Sequence, residues 1–564
     1  MEAVANGASA FRAPSMRNIG LLGQFVRGAG FTPVKITSEE EFNRIFGGQN
    51  SAYYGPMTVK SIFREAGNAP VTLYIARVVN DQFVAATKTV TLGGSGAPTM
   101  TVTAGYKGTE DPGAWGNKVK VTLYSFGSVV KGMYTLAVQC NGQTETYSDV
   151  TLAKIQSAVN RVSKYAIVEF SAELGAPTYT ALTGTVVASV DSTTIIGTGT
   201  SFASELTIGA ALFDNNGNAI GTVLSITDNT HLILTGKSMV SVNAAAIKKR
   251  VDTVYEAQLT GGVDGTVVES DFYPIPSVDN PKGLACFDGF DVQILACTEF
   301  HSLSMAKKLN AYLAEQKNPI GVVNLPYGAD EGTAELYANE LQTNDKSFVA
   351  GYIGWVKVPD ENGDPMLIPA LGPILGAAYL RTPYVQGNFI HIPPAGTDSL
   401  FNYVIEVVPT RLSQSAINKI VQEFTTNIIQ YVDNLGYYVG SSRLYSTNEL
   451  YMSIHIRLQT SYYVRYLYAA LRYLEQKPNT PELKREALIT LRRFFQNEYG
   501  NGALERSVPF DTAYQGICDT SNNPLSQDRK LLNIDVLWIP TECTESVQVS
   551  LQRNDGILSV IEAE

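Results

Sequence analysis

Four histidines are the side chains best suited to transfer protons or bind metals near neutral pH. They are His231, His301, His391 and His455. None has a second histidine or a cysteine at metal-ligand spacing, and the chain contains neither an HExxH nor a GxSxG motif. We therefore interpret each histidine as structural and predict no catalytic, cofactor-binding or metal-binding residue. A Ser-His-Asp site assembled from distant positions stays open, because triad members need not be close in sequence.

Two short segments resemble fragments of ligand-binding loops. Gly236-Lys237-Ser238 matches the end of a phosphate-binding loop, but the glycine expected five residues earlier is His231. The DENGD segment at 360–364 resembles part of a calcium loop, but it lacks the downstream glutamate that completes an EF-hand. The first is better interpreted as a loop turn and the second as a solvated turn, so no cofactor is predicted.

Composition points to a large folded protein that associates with partners. The 564 residues correspond to about four domains at ~150 residues each. The chain has 42 Lys and Arg against 53 Asp and Glu, a net charge of −11, which argues against direct nucleic-acid binding. Only 17% of residues are charged while 45% are apolar, against about 25% charged in typical soluble domains. Such a surface is suited to burial against other subunits.

Targeting and redox signals are absent from the sequence. We find no apolar run of a secretory signal and no stretch long enough to span a membrane. The cysteine count is odd, and no pair has CxxC spacing. We therefore expect a chain made in a reducing cytoplasm, with its cysteines acting as small apolar side chains. The cysteines are Cys140, Cys286, Cys297, Cys518 and Cys543.

Local patterns divide the chain into units of different character and predict a multidomain α+β fold. Ser38 and Glu41 form a capping box before an apolar helical face that Gly47 ends. Apolar spacing predicts a long helix over 417–435, and alternation predicts a strand at 451–457. The predicted units are an N-terminal arm (1–17), an N-terminal α/β domain (18–84), a β-rich domain (85–265) with an inserted outer β-sandwich (181–250), a central α/β domain with a parallel sheet (266–435), a mixed α/β C-terminal domain (436–544) and a C-terminal arm or strand (545–564).

The C-terminal segment carries the one candidate functional feature. Val547, Val549 and Leu551 alternate as one apolar face of a strand. A terminal strand can add to an exposed sheet edge of a neighbouring subunit through main-chain hydrogen bonds. An ordinary internal edge strand is the alternative.

Several segments, taken in order, resemble contractile tail sheath proteins of bacteriophages and related injection systems. Two of them are the DPGAWGNKVKVTL segment at 111–123, with its Pro-Gly-x-Trp-Gly-Asn pattern, and the LTGGVDG segment at 259–265. The opening run NIGLLGQFVRGAGFTPVKITSEEEFNRIFGG and the C-terminal runs LRRFFQNEYGNGAL and YQGICDTSNNP follow the family as well. The resemblance covers most of the chain apart from the insertion at 181–250.

The resemblance implies a function and a set of partners. It implies a subtilisin-like fold for the central domain and a structural, non-enzymatic subunit that polymerises as a helical stack of hexameric rings around a tail tube. Contraction by rigid-body rearrangement would drive the tube through the host envelope. Implied partners are copies of the chain itself, the tube protein, and the baseplate and tail terminator proteins. The implied location is the virion tail, assembled in the host cytoplasm. Two alternatives are a surface-exposed β-rich adhesin and a subtilisin-like hydrolase.

Overall fold

The computed structural model describes residues 14–93, 97–124, 134–172, 178–251, 254–316, 319–342, 347–409, 412–524 and 531–544. Its architecture is mixed α+β, with several sheets and separate apolar cores, as the sequence predicted. None of the helices in this part of the chain has the length and hydropathy required to cross a bilayer.

The first unit forms where the local signals placed it. Its elements are β1 (Ile19–Gly23), β2 (Val34–Ile36), α1 (Glu39–Phe46), α2 (Tyr54–Ala66) and β3 (Leu73–Arg77). The Ser38 hydroxyl accepts a hydrogen bond from the Glu41 amide at 3.1 Å, which satisfies a free amide of the first turn of α1. Gly47 ends that helix with φ of +90°, a conformation that glycine adopts without a Cβ clash.

The next unit is β-rich. Its strands and helix are β4 (Thr87–Thr91), β5 (Thr99–Tyr106), β6 (Thr109–Glu110), β7 (Lys120–Tyr124), β8 (Tyr134–Cys140), β9 (Gln143–Val150), α3 (Leu152–Val162) and β10 (Ala166–Phe170). Two antiparallel four-stranded sheets and α3 share one apolar core. The second sheet is completed by a strand that follows the insertion, because Ala257 pairs with Val121 of β7.

The insertion folds around a core of its own. Its elements are β11 (Tyr179–Ala181), β12 (Thr185–Ala188), β13 (Thr194–Thr198), α4 (Phe202–Glu205), β14 (Ala211–Phe213), β15 (Ala219–Ile226), β16 (His231–Leu234), β17 (Val242–Ala245) and β18 (Lys248–Arg250). The eight strands follow one continuous antiparallel path, with β15 joining its two halves. Tyr179 pairs with Arg250, so the entry and the exit of the insertion lie side by side. The chain returns to the β-rich unit in β19 (Val254–Gln258).

A parallel sheet dominates the middle of the chain. The elements that follow are β20 (Ile294–Cys297), α5 (Leu303–Gln316), β21 (Ile320–Asn324), α6 (Glu331–Leu341), β22 (Val349–Ile353), β23 (Trp355–Pro359), β24 (Pro365–Pro369), α7 (Leu371–Pro373), α8 (Thr382–Val385), β25 (Glu406–Val408), α9 (Gln414–Asn418), β26 (Asn427–Val432) and β27 (Gly436–Val439). A π-helix, Ile374–Arg381, connects α7 to α8.

The N-terminal strands belong to this same sheet. Its order is β2-β3-β1-β20-β21-β22-β26-β27. Ile19 of β1 pairs in parallel with Leu73 on one side and with Ile294 on the other. The sequence predicted separate domains at 18–84 and 266–435. Their strands nevertheless form one continuous hydrogen-bonded sheet.

Two predicted elements are wrong. The helix expected over 417–435 ends with the π-helical turn Lys419–Glu423, and the chain then forms β26. The strand expected at 451–457 is helical, because α10 (Glu449–Met452) and α11 (Ile454–Leu471) occupy it. Pairing of Tyr352 with Asn427 places β26 in the sheet, so a partner distant in sequence overrides the local apolar spacing.

The C-terminal unit packs helices against a small sheet. After α11 come α12 (Pro481–Gly500), α13 (Phe510–Ala513), β28 (Tyr514–Ile517) and β29 (Asp535–Trp538). The Thr480 hydroxyl caps α12 by accepting from the Leu483 amide, and Pro481 occupies the first turn, where its missing amide proton costs nothing. Tyr463 of α11 lies edge-on to Phe494 and Trp538, with ring centroids 5.2 and 5.0 Å away.

Candidate assembly surface

The four histidines lie in different surroundings. His231 is exposed at the start of β16, with Nδ1 3.1 Å from the Asp228 carboxylate. His301 packs against Tyr54 and Trp355, and burial lowers the pKa of its ring to about 4. His455 is 1% exposed, and burial lowers its pKa to about 4 as well.

His391 stacks on Phe389, and its pKa is lowered by burial and by the nearby guanidinium groups of Arg17 and Arg506. Across the residues that the structure describes, no three His, Cys, Asp or Glu side chains form a group able to hold a metal ion.

The two ligand-loop fragments are turns, as predicted. Ser238 and the preceding residues connect β16 to β17, and the Ser238 hydroxyl donates to the Val240 carbonyl. Asp360 closes the hairpin between β23 and β24, because its Oδ1 accepts from the amides of Asn362 and Asp364 at 2.7 and 2.9 Å. Four cysteines are buried and unpaired, which agrees with their interpretation as apolar side chains. They are Cys140, Cys286, Cys297 and Cys518.

The two glycine-containing motifs meet at one place. The Asn117 side chain exchanges two hydrogen bonds, both 2.9 Å, with the backbone of Gly262. The Ala114 amide donates to Asp264 Oδ1 at 3.0 Å. At Gly113, with φ of +132°, a Cβ atom would lie 2.7 Å from Asp264 Oδ1, so the close approach requires glycine there.

A buried carboxylate ties this place to the N-terminal unit. Asp111 is fully buried and lies within 3.4 Å of Arg27 and 3.2 Å of Arg77. Its Oδ1 also accepts from the Gly28 amide at 2.7 Å and from Trp115 Nε1 at 3.1 Å. We call Asp111, Arg27, Arg77, Gly28 and Trp115 the Asp111 junction.

The electrostatics of the Asp111 junction reflect burial. Burial raises the pKa of the Asp111 carboxyl, while the two guanidinium groups lower it. Burial likewise lowers the pKa of Arg77, against the effect of Asp111. The Arg27 guanidinium lies 4.2 Å from the centre of the Trp115 ring, which adds a cation–π contact. The junction therefore connects the β-rich unit to the parallel sheet through buried ion pairs and hydrogen bonds.

The sequence indicated the glycine-containing motifs but missed the two arginines. Asp111 stands directly before the Pro-Gly pair of the motif. This position could have identified Asp111 as a candidate residue of the junction. Arg27 and Arg77 lie far from that motif in sequence, so no spacing rule connects them to it.

The small sheet of β28 and β29 is a candidate surface for strand addition. Tyr514 pairs with Trp538 and Ile517 with Asp535, and no third strand joins this sheet within the described chain. One face packs on the helices, where Tyr514 stacks on Phe495 with ring centroids 4.5 Å apart. On the other face Leu537 is 54% exposed. A sheet with unpaired edges presents backbone donors and acceptors to an incoming strand.

The helices of this unit also expose apolar side chains. Val464 and Tyr468 lie one turn apart on α11, and both are exposed. Ile489 on α12 and Leu450 on α10 are exposed too. The predicted strand residues Val547, Val549 and Leu551 lie outside the described residues.

The base of the N-terminal arm is held by two arginines. Arg465 of α11 donates to the Ser15 carbonyl at 2.8 Å and to the Asp291 carboxylate at 3.0 Å. The Arg17 side chain donates to the Phe389 carbonyl, and burial lowers its pKa to about 10. The chain before Ser15 therefore starts from a fixed point between the C-terminal unit and the parallel sheet.

No protein-family model matches the sequence, and no curated protein matches it. The sheath tail protein Lin1278 from Listeria innocua has a similar structure, with a TM-score of 0.52 and 12% identity over 94% of this chain and 96% of that one. The chain has the fold of a sheath tail protein.

Other similar structures carry the same kind of description. The sheath tail protein DSY3957 from Desulfitobacterium hafniense gives a TM-score of 0.44 at 12% identity, over 96% of this chain and 100% of that one. The sheath complex of an extracellular contractile injection system in its contracted state gives a TM-score of 0.38 at 15% identity. The match covers 47% of this chain and 71% of that one. The sheath fold shared with Lin1278 confirms the resemblance that the ordered motifs indicated.

Proposed function

We propose that this protein is the structural subunit of a contractile tail sheath. The observation that carries the proposal is the sheath fold shared with Lin1278 over 94% of the chain. The subunit polymerises as a helical stack of hexameric rings around a tail tube. Its role is mechanical and requires no reaction at an active site.

The proposal assigns parts to the units of the chain. The C-terminal unit faces the tube, the central unit has a subtilisin-like fold, and the insertion at 181–250 lies on the outer surface. Further partners are the baseplate and tail terminator proteins, and the assembly belongs to a virion tail. The acidic net charge of −11 supports protein partners over nucleic acid.

Strand exchange connects the subunits. The terminal segment with Val547, Val549 and Leu551 pairs with an unpaired edge of the β28–β29 sheet of a neighbour. The exposed Leu537 on that sheet supports this docking, because apolar alternation on both sides allows close side-chain packing. Flexible terminal links let each subunit rotate as a rigid body while it stays attached.

Contraction is driven by an increase in contact between subunits. If each subunit buries about 800 Å² more surface, at ~25 cal/mol per Å² the gross gain is roughly 20 kcal/mol. Desolvation and ordering reduce the net gain to a fraction of this. A few kcal/mol per subunit, summed over many copies, is enough to move a tube without nucleotide hydrolysis.

Electron microscopy of the purified full-length protein tests the function directly. We expect striated tubes, and a sample that stays monomeric under all assembly conditions, including addition of a tube protein, contradicts the proposal.

Deleting residues 545–564 should leave folded subunits that form no tubes. The matched control replaces Asp555 by Asn and Glu562 by Gln, which changes the charge of the same segment but keeps the alternating apolar residues. Normal tubes after the deletion would refute strand exchange.

A further inference from the structure

A pocket lies beside the base of the N-terminal arm. Its volume is about 310 Å³, and its lining includes Phe287, Phe290, Val292 and Tyr312. Phe290 is 41% exposed at the mouth, with its ring edge-on to Tyr74. A concave site with aromatic walls is suited to an apolar side chain, whose burial there removes surface from water.

Two described carboxylates belong to the lining of the pocket or are hydrogen-bonded to it. Asp288 accepts from the Tyr312 hydroxyl at 2.6 Å and from Gln316 at 3.0 Å. Asp291, which lines the pocket, is paired with Arg465 at 3.0 Å. Among the described residues at the pocket, Asp288 and Asp291 accompany a single guanidinium, that of Arg465, and this arrangement favours a ligand that brings a second cation.

The chain itself supplies a segment of this chemistry within reach. Arg465 lines the pocket and also holds the Ser15 carbonyl. Residues 1–13 precede the described chain. Their single aromatic residue is Phe11, and Arg12 follows it directly. Phe11 is four residues from Ser15, a span of about 13 Å in an extended chain.

We propose that in the unassembled subunit this pocket binds Phe11 and Arg12 of the same chain. The Phe11 ring fills the space beside Phe287 and Phe290, and the Arg12 guanidinium pairs with the carboxylates at the rim. The same chain is the occupant because the fixed position of Ser15 gives Phe11 a high effective concentration at the pocket. The inference goes beyond the proposed function, since it concerns the subunit before assembly.

Docking makes the arm unavailable until neighbours compete for it. An arm bound in its own pocket cannot at the same time reach another subunit. Assembly then requires that contacts with neighbours exceed those with the pocket. The free subunit would thus be kept from premature polymerisation.

Tryptic cleavage after Arg12 tests the docking in the full-length protein. The rate is followed by intact mass at protein concentrations below those that give tubes. We expect slow cleavage in the unmodified protein and a rate roughly tenfold higher or more in both Phe11→Ser and Phe290→Ser, because cleavage follows the population of the released arm. Combining the two substitutions should add little, since both break one contact. The controls Ala10→Ser and Val278→Ser should cleave at the original rate.

Three results would overturn the proposal. The first is an unchanged cleavage rate in the Phe11→Ser variant. Because Phe11 precedes the described residues, this variant tests the docking even if Phe290→Ser unfolds the protein. The second is equal acceleration by Ala10→Ser. The third is protection that grows with protein concentration, which assigns the pocket to an arm from a second copy. Failure of the sheath function is distinguishable, because absence of tubes by microscopy leaves these monomer rates unaffected.

Discussion

Replacing Asp111 by Asn should weaken the Asp111 junction more than any single surface substitution nearby. The asparagine keeps the size and one carbonyl oxygen but removes the charge that faces Arg27 and Arg77. The two guanidinium groups are 7% and 2% exposed, so water cannot replace the lost carboxylate. Breaking a buried ion pair by removing one partner costs about 3–5 kcal/mol.

The size of the effect can be measured locally. The chain has several cores, so a single free energy of global unfolding is not defined. The Gly28 amide donates to Asp111, and its hydrogen exchange reports opening of the junction. A loss of about 3 kcal/mol speeds exchange by roughly 100-fold where local opening limits it. The assay is hydrogen exchange with mass spectrometry on peptides that include Gly28.

Asp264→Asn is the matched control. Asp264 lies 4.0 Å from the same Arg77, but its side chain is 45% exposed, and exposed pairs contribute about 0–1 kcal/mol. In the Asp264→Asn variant we expect the rate of amide hydrogen exchange at Gly28 to change by less than about fivefold. Equal exchange rates in the two variants would refute the argument that burial makes Asp111 important.

Three further outcomes are expected. Burial lowers the pKa of His455 to about 4, whereas an unfolded histidine has a pKa of about 6.5. Between pH 4 and pH 6.5 the unfolded chain therefore binds more protons than the folded chain. The stability of the folded state should accordingly fall as the pH is lowered from about 6.5 toward about 4. Replacing His455 by Gln should remove up to roughly 3 kcal/mol of this pH dependence. Hydrogen exchange of the α11 amides at about pH 4 and about pH 6.5, corrected for the intrinsic pH dependence of exchange, will show this, and an unchanged difference between the two pH values would contradict it. Ser38→Ala should destabilise the start of α1 by about 1 kcal/mol, seen as faster amide exchange at Glu41, and unchanged exchange would contradict the capping role. Leu537→Asp should abolish tubes in micrographs without altering the circular dichroism spectrum, unlike the equally polar change Val278→Asp; tubes in both would exclude that sheet face from assembly.

The sequence alone determined features whose causes are local. The capping of α1 by Ser38 and the end of that helix at Gly47 both follow from interactions within one or two turns of chain. The predominantly β character of the insertion follows equally from alternation and turn residues. The ordered motifs also indicated the sheath fold, which this chain shares with Lin1278 at 12% identity.

Only the tertiary structure decided features that depend on distant partners. Residues 427–432 have helical apolar spacing but form a strand, since β22 offers them a parallel partner. Ile19 pairs with Leu73 of β3, which precedes the β-rich unit in sequence, and with Ile294 of β20, which follows it. No local pattern specifies this pairing. Arg77 became part of the Asp111 junction in the same way. Charge burial and sheet pairing depend on which segments meet after folding, and that information is spread over the whole chain.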